Sequence, residues 1–443
     1  MSMNATHAPR EVDLAIHARW IVPVEPAGVL EHHALLVDGG SIVALVPSAS
    51  VAASWAPRAS VELATHVLLP GLVNAHAHSA MTLLRGVADD LPLKAWLEDH
   101  IWPREARLVS PEFVRDGTLV ACAEMLAGGI TCCNDMYFYP DASARVFEET
   151  GLRAMIGLPV LDFPTPYAPD ADGCLQAGLA ARDAHKHSRR LAFSITPHAP
   201  YTVGDESFAK IVTYARQLDL PIQTHLQETR HELDDALAAT GATPLARLDR
   251  LGATGPSFVA IHAVHPGPGD VELLARQGCH VVHCPASNMK LASGAAPVAG
   301  YLDAGINVAL GTDSAASNNR LDLFAEMRLA SLLAKVTQGD ATALPAATVL
   351  QMATLGGARA VGLDDRIGSL VPGKDADVVA VDFSSVALAP CYDPVSHLVH
   401  AAGREHVTDV WIEGERLVDS GRLVRLDSAA ITARAAIWRD RIA

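Results

Sequence analysis

Histidine and carboxylate side chains follow apolar segments of this sequence at a spacing that suits a metal ion. The first such segment ends in His76-Ala77-His78, and side chains at positions i and i+2 of a strand point to the same side. His225 and Asp313 each follow a later apolar segment. Three imidazoles and one carboxylate suit zinc, or another divalent ion such as Fe²⁺, with one position left open for water. The sequence therefore predicts one metal ion per chain, with Zn²⁺ as the expected ion.

The neighbouring residues indicate what such a metal would do. A metal at these residues would lower the pKa of a bound water toward ~7 and so generate hydroxide at neutral pH. Asp313 could orient the hydroxide while it binds the metal. Glu228, three residues after His225, could take a proton from the water and return it to a ring nitrogen of the substrate. His262, at the end of the next segment, could stabilise the charged tetrahedral centre.

Eight apolar segments rich in β-branched residues must position these side chains. They alternate with segments of helical pattern, which is typical of a closed parallel (β/α)8 barrel of the TIM type. The ends of barrel strands converge on one face, where active sites lie. A doubly wound open sheet is the alternative, but its first strand is usually followed by a glycine-rich turn rather than by His-x-His. The predicted strands are 67–74, 130–134, 154–160, 191–196, 221–224, 258–261, 280–282 and 306–310.

The two ends of the chain have a different pattern. Short apolar stretches there are broken by Gly and Pro, which favours antiparallel strands and turns. We therefore predict an α/β protein in which residues 1–66 and 365–443 form a small β-sandwich domain and residues 67–364 form the barrel.

Composition excludes several classes of protein. Among 443 residues, 50 % are apolar and 19 % charged, so a large core is expected and disorder is excluded. The net charge of −16 argues against a nucleic-acid partner. No apolar run approaches the ~18 residues of a membrane span, and residues 1–14 do not resemble a signal peptide. The seven cysteines do not form a disulfide framework, so the expected location is the reducing cytoplasm.

These motifs resemble those of the amidohydrolase superfamily. The resemblance rests on residues 70–78 (Pro-Gly-Leu-Val-Asn-Ala-His-Ala-His), on His225 and His262, and on residues 311–313 (Gly-Thr-Asp). Within the superfamily, the sequence is most similar to the 5-methylthioadenosine/S-adenosylhomocysteine deaminases, over residues 11 to about 420. The segments that match this subgroup are 91–97, 101–105, 134–138, 196–201, 225–229, 283–294 and 311–319.

The resemblance implies a function for each matching position. It implies hydrolysis of the 6-amino group of an adenosine derivative, with release of ammonia. The implied metal ligands are His76, His78, His225 and Asp313. Glu228, His262 and Asp313 are the implied catalytic residues, and Glu228 and Asp313 also contact the purine. Glu105 and His198 are implied to hold the ribose hydroxyls.

Two absences narrow the chemistry. No Lys lies between residues 191 and 203, where hydrolases with two metals on this fold need a bridging ligand, so a single metal is expected and cyclic-amide or N-acyl amino acid hydrolysis is disfavoured. Some members of the subgroup carry arginines after the third strand that suit a homocysteine carboxylate. This sequence has Leu-Pro-Val-Leu-Asp-Phe at 158–163, so we expect the apolar methylthio substrate to be preferred.

Several alternatives remain open from the sequence. A related enzyme could act on a guanine-type purine, a pterin or a chlorinated triazine, and a non-catalytic scaffold would be expected to have lost ligands that this chain keeps. Trp96 and Trp102 could be core residues or pocket walls, and His283 could serve packing alone. The expected partner is a small nucleoside rather than a nucleic acid or a membrane. We expect a homo-oligomer, either a dimer or a tetramer.

Overall fold

The computed structural model describes residues 8–442, and residues 1–7 and 443 of the predicted β-domain lie outside this range. Its strands form two eight-stranded sheets, one of which is the barrel. The barrel strands are β5 (Leu72–Ala77), β6 (Ile130–Met136), β7 (Arg153–Val160), β8 (Leu191–Pro197), β9 (Ile222–Leu226), β10 (Phe258–His262), β11 (His280–His283) and β12 (Asn307–Leu310). The strands of the other sheet are β1 (Arg10–Ile21), β2 (Leu30–Asp38), β3 (Ser41–Pro47), β4 (Trp55–Pro70), β13 (Val378–Asp382), β14 (Val407–Ile412), β15 (Glu415–Asp419) and β16 (Arg422–Leu423).

The barrel strands are all parallel and follow chain order. The ring closes where Asp313, after β12, donates its backbone N–H to the His76 carbonyl of β5 at 3.0 Å. Closure therefore brings two predicted metal ligands from opposite ends of the barrel sequence side by side. The predicted barrel with a β-domain is confirmed.

Helices connect the strands and form the outer layer. Two π-helical turns, Trp96–Ile101 and Met352–Gly356, lie within longer helical segments. The α-helices are Val51–Ser54, Leu93–Ala95, Trp102–Leu108, Pro111–Ala127, Pro140–Thr150, Ala171–His185, Asp205–Leu218, Arg230–Thr240, Pro244–Arg250, Asp270–Gln277, Pro285–Lys290, Val298–Asp303, Ala315–Asn318, Leu323–Gln338, Ala346–Gln351, Gly357–Ala360, Pro394–His400 and Ser428–Ile442. No helix within residues 8–442 combines the length and the apolar character that crossing a membrane requires.

The β-domain joins the two ends of the chain in one hydrogen-bonded sheet. Its order is β16-β15-β14-β13-β4-β1-β2-β3, so β4 pairs with an N-terminal strand on one side and a C-terminal strand on the other. The predicted strand 67–74 is divided between the sheets, because β4 ends at Pro70 and β5 begins at Leu72. A Cβ at Gly71 would lie 1.9 Å from the Thr131 hydroxyl oxygen, so only glycine fits at this passage between the sheets. The exact domain limits stay a prediction.

The last helix, Ser428–Ile442, was not predicted. It packs on the barrel helix Pro111–Ala127, where the Trp438 indole N–H donates to Asp116 Oδ2 at 3.0 Å and its ring meets Phe113 edge-on. Few of its residues are buried, so its sequence lacks the apolar stripe that marks a packed helix.

Candidate active site at the carboxyl ends of the barrel strands

The four predicted metal ligands lie together at one end of the barrel. His76 is in β5, His78 follows it, His225 is in β9, and Asp313 follows β12. Ligand nitrogens of the three histidines all lie within 4.8 Å of one another. Asp313 Oδ1 lies 3.6 Å from His76 Nε2 and 3.3 Å from His78 Nε2. One ion could therefore contact all four side chains.

Backbone carbonyls determine which nitrogen two of these histidines present. His78 Nδ1 donates to the Met136 carbonyl, and His225 Nδ1 donates to the His198 carbonyl at 2.7 Å. A carbonyl oxygen can only accept, so the proton is on Nδ1 and the lone pair of Nε2 faces the centre. A hydrogen bond of this kind joins a histidine ligand to a group that does not itself bind the metal, and it orients the histidine ring.

The buried state of His76 fits a metal ligand. It is fully buried, and neither ring nitrogen has a hydrogen-bond partner among the described residues. Burial lowers the pKa of His76 to about 4 and that of His225 well below its usual value, so both rings are neutral. A neutral imidazole is the form that binds a metal, and a bound ion would satisfy one of these two unpaired nitrogens.

Two serines hold Asp313. The Ser287 and Ser317 hydroxyls donate to Oδ2 at 2.6 and 2.9 Å, which leaves Oδ1 toward the histidines. Although burial opposes ionisation, the adjacent His76 and His78 side chains keep the pKa of Asp313 well below its usual value. The carboxylate is therefore charged and fixed in orientation.

Glu228 and His262 face each other beside this cluster. Glu228 Oε2 lies 3.7 Å from His262 Nε2, and Glu228 Oε1 accepts from the Ser293 hydroxyl at 3.3 Å. The opposite ring nitrogen of His262, Nδ1, lies 3.0 Å from Asn288 Oδ1. Burial raises the pKa of Glu228 above its usual value, which suits a carboxyl group that takes up and returns a proton.

The N-terminus of the following helix places Glu228. The side chain of Thr229 accepts the N–H of Glu232 at the start of helix Arg230–Thr240, and Glu232 Oε2 accepts the N–H of Glu228 at 2.9 Å. Gln227, the residue before, has a φ of 49°, which turns the chain from β9 toward the pocket. The sequence after His225 is thus built to direct Glu228 inward.

Glu105 and His198 lie on one side of the cluster and line the same cavity as the metal ligands. Glu105 Oε1 accepts from the Tyr137 hydroxyl at 2.7 Å, and burial raises the pKa of Glu105 to about 7. His198 Nδ1 lies 3.1 Å from the Thr202 hydroxyl oxygen, and burial lowers its pKa to about 4. This arrangement leaves the second carboxyl oxygen of Glu105 and Nε2 of His198 for hydroxyl groups of a ligand.

The cavity above the cluster has a volume of about 250 Å³, and it is walled by aromatic and aliphatic side chains. Trp96 and Trp102 both line it, and Trp96 is also buried in a cluster of apolar residues. Trp102 faces Phe163, with ring centroids 6.4 Å apart. Among the described residues that line this cavity, three are carboxylates and none is Lys or Arg. His283 is buried and is not among the residues that line this cavity.

Some contacting residues were not singled out by the sequence analysis. Tyr137, Ser287 and Asn288 lie within motifs that carried the resemblance, but only the fold shows what they touch. Thr202 had no such signal, because a threonine four residues from a histidine is common in any chain.

The fold and the site together define a metal-dependent hydrolase. Residues 67–417 match the amidohydrolase family, and the chain belongs to this family. The chain is 44 % identical over 432 residues to 5-methylthioadenosine/S-adenosylhomocysteine deaminase of Teredinibacter turnerae, which covers 97 % of this chain and 98 % of that protein. It is 45 % identical to the protein of the same name in Saccharophagus degradans, with 97 % of each chain covered. A crystal structure of an adenosine deaminase from Xanthomonas campestris with bound zinc superimposes with a TM-score of 0.97 at 48 % identity, over 98 % of this chain and 99 % of that one. The resemblance to the superfamily and its subgroup is confirmed.

Proposed function

We propose that this protein is a zinc-dependent deaminase that converts the 6-amino group of 5′-methylthioadenosine, and with lower efficiency S-adenosylhomocysteine, to the 6-oxo group. The observation that carries the proposal is that a three-histidine, one-aspartate cluster shares one cavity with Glu228, Glu105 and His198. The relatives that are 44 % and 45 % identical carry the corresponding name, which supports it.

His76, His78, His225 and Asp313 would hold the zinc ion. Zinc bound there would act as a Lewis acid and make a water molecule acidic enough to supply hydroxide at neutral pH. Asp313 directs Oδ1 to the same point, because Ser287 and Ser317 occupy Oδ2.

Glu228 moves the proton in this proposal. Its carboxylate takes a proton from the attacking water and gives it to ring nitrogen N1. It then transfers the second proton of the water to the leaving nitrogen. His262 lies 3.7 Å from Glu228 and stabilises the negative charge on the oxygen that attacks C6. Glu105 and His198 form hydrogen bonds with the ribose hydroxyls. These hydrogen bonds hold C6 over the metal ligands.

Absorbance at ultraviolet wavelengths tests the proposal directly. Zinc-loaded protein should convert 5′-methylthioadenosine to its hypoxanthine analogue, and a chelator should abolish the change until zinc is added back. Because hydroxide forms poorly without the metal, we expect residual turnover below about 1 %. Protein that contains one zinc per chain and leaves the nucleoside unchanged would refute the substrate, and guanine-type purines, pterins and chlorinated triazines would then be assayed for ammonia or chloride release.

The cavity also leads to a prediction about the 5′ substituent. The loop after β7, the third barrel strand, contributes Leu161 and Phe163 to the cavity wall. The nearby Asp162 accepts hydrogen bonds from the Gly204 N–H and the Ser207 hydroxyl. A homocysteine carboxylate would meet no cation there, whereas a methylthio group would meet apolar walls. We therefore expect kcat/KM to favour the methylthio substrate by about tenfold or more, a difference of about 1.4 kcal/mol.

Two substitutions at one position check the cause of this preference. Phe163→Arg should raise the relative kcat/KM for S-adenosylhomocysteine, whereas Phe163→Leu should leave the ratio nearly unchanged. Phe163 is 40 % exposed, so either change is compatible with folding. Comparable kcat/KM on both nucleosides in the unmodified, zinc-saturated enzyme would contradict the preference.

The cytoplasmic location and the assembly into dimers or tetramers stay predictions, which cell fractionation and light scattering would test.

A further inference from the structure

A second cavity opens off the catalytic cavity. Its volume is about 660 Å³, and it lies between the segment 92–102 and the helices Arg230–Thr240 and Pro244–Arg250. His225 and Glu228 line both cavities, whereas Glu105 and His198 line only the first. Leu97, Trp102 and Tyr201 also line both cavities, so the two cavities join along this wall of the site.

The position of Glu228 fixes which part of a substrate faces the second cavity. With the ribose on Glu105 and His198, atom C6 lies at the metal ligands. The leaving nitrogen receives its proton from Glu228, so it must lie within hydrogen-bond distance of that carboxylate. Because Glu228 also lines the second cavity, a substituent on the leaving nitrogen would point into it.

The walls of the second cavity suit an alkylamine. Ala236 and Leu97 supply small or apolar surface. Glu232 also lines it, and its Oε1 is buried with no hydrogen-bond partner among the described residues. The guanidinium of Arg247 donates hydrogen bonds to Asp205, at 2.6 Å, and to backbone carbonyls. The apolar surface favours the alkyl group of a leaving amine.

We propose that this enzyme also hydrolyses N6-alkylated 5′-thioadenosines and releases the alkylamine through the second cavity. The proposal rests on the proposed function and extends it to a further class of substrate. For the methyl compound, the C6–N6 bond breaks and a C6–O bond forms with the oxygen of water. One water proton ends on N1 and the other on the leaving nitrogen, which departs as methylamine with the electron pair of the broken bond.

A series of substrates tests the proposal without any variant. Zinc-loaded enzyme is assayed with 5′-methylthioadenosine and with its N6-methyl and N6-propyl derivatives, and released ammonia or alkylamine is quantified by chromatography. We expect kcat/KM for both derivatives within about 100-fold of the parent, because a cavity of this size accepts the added carbons. Turnover of the parent without alkylamine release would overturn the proposal. No turnover of any of the three would instead refute the proposed function.

Filling the second cavity provides the matched test. Ala236 is half-buried and lines this cavity, whereas Ala239 on the same helix is exposed and does not. Ala236→Trp should lower kcat/KM for the N6-propyl substrate by about 10- to 100-fold and leave that for the parent within about twofold. Ala239→Trp should change neither. Equal losses on both substrates in Ala236→Trp would overturn the assignment of the alkyl group to this cavity, and if that variant does not fold, the substrate series decides.

Discussion

Replacing Glu228 with glutamine should lower the turnover of 5′-methylthioadenosine by about 10²- to 10⁴-fold, the range that a general acid–base group contributes. Glutamine keeps the size of the side chain and can still accept from the Ser293 hydroxyl, which lies 3.3 Å from Oε1. It cannot take up a proton from water or pass one to the purine. The loss should therefore be in kcat, with zinc content and the melting temperature unchanged.

Two measurements and a control variant separate this role from a structural one. Zinc per chain, measured by atomic absorption, should equal that of the unmodified enzyme, because Glu228 is not among the four proposed ligands. Binding of the hypoxanthine product should persist, since Glu105 and His198 remain. Glu206→Gln provides the matched control, because the side chain of Glu206 is 88 % exposed and its only ion pair within residues 8–442 is at the surface with Lys210. A Glu228→Gln enzyme with unimpaired kcat would refute the proton transfer.

The metal site could be predicted because its signals are local. His76 and His78 are two residues apart on one strand, and the parallel order of the barrel follows from eight similar segments in sequence. The positions of His225 and Asp313 then follow from the topology, since each lies at the end of its own strand. Only the contact between Asp313 and His76, where the barrel closes, could not be predicted without the structure.

The supporting contacts could not be predicted, because many of them are made by groups with no sequence signature. The His78 and His225 tautomers depend on the carbonyls of Met136 and His198, and every residue has a carbonyl. The orientation of Glu105 depends on Tyr137, which is 32 residues away and lies on a different element. The second cavity arises between three elements, so no single segment encodes it.

The division of the chain into two sheets shows the same limit. The apolar segment 67–74 is continuous, yet it contributes to β4 and then to β5. Residues 67–70 of β4 and all of β5 are buried, so periodicity alone cannot separate the two strands within this segment. Gly71 marks the passage, but a glycine in an apolar segment has several explanations until its neighbour Thr131 is known.

Replacing Arg153 with alanine should destabilise the protein by about 3–5 kcal/mol, the cost of leaving a buried charge without its partner. Arg153 begins barrel strand β7, and its side chain is 1 % exposed. Its guanidinium donates to both oxygens of Asp377, at 3.1 and 3.2 Å, and to Asp375 at 3.0 Å. Both aspartates precede β13 of the β-domain, so this ion pair joins the barrel to that domain.

Asp377 makes the loss of Arg153 costly. Its side chain is 1 % exposed, and it also accepts the Glu413 N–H at 2.9 Å. Without Arg153, one backbone N–H remains to stabilise a buried negative charge. Arg153→Met/Asp377→Asn removes both charges and keeps an oxygen for Glu413, so the double variant should regain much of the lost stability. Such recovery would show that the unpaired charge, rather than lost packing, causes the defect.

Thermal melts at saturating zinc measure this difference, since bound metal stabilises every variant by the same mass action. Arg145→Ala is the matched control, because Arg145 pairs with Asp141 at 3.1 Å but is 71 % exposed. A pair of this kind contributes about 0–1 kcal/mol. Arg153→Ala should therefore melt well below the control, while the double variant should lie close to it. Equal melting temperatures for Arg153→Ala and Arg145→Ala would show that the buried pair does not hold the two domains together.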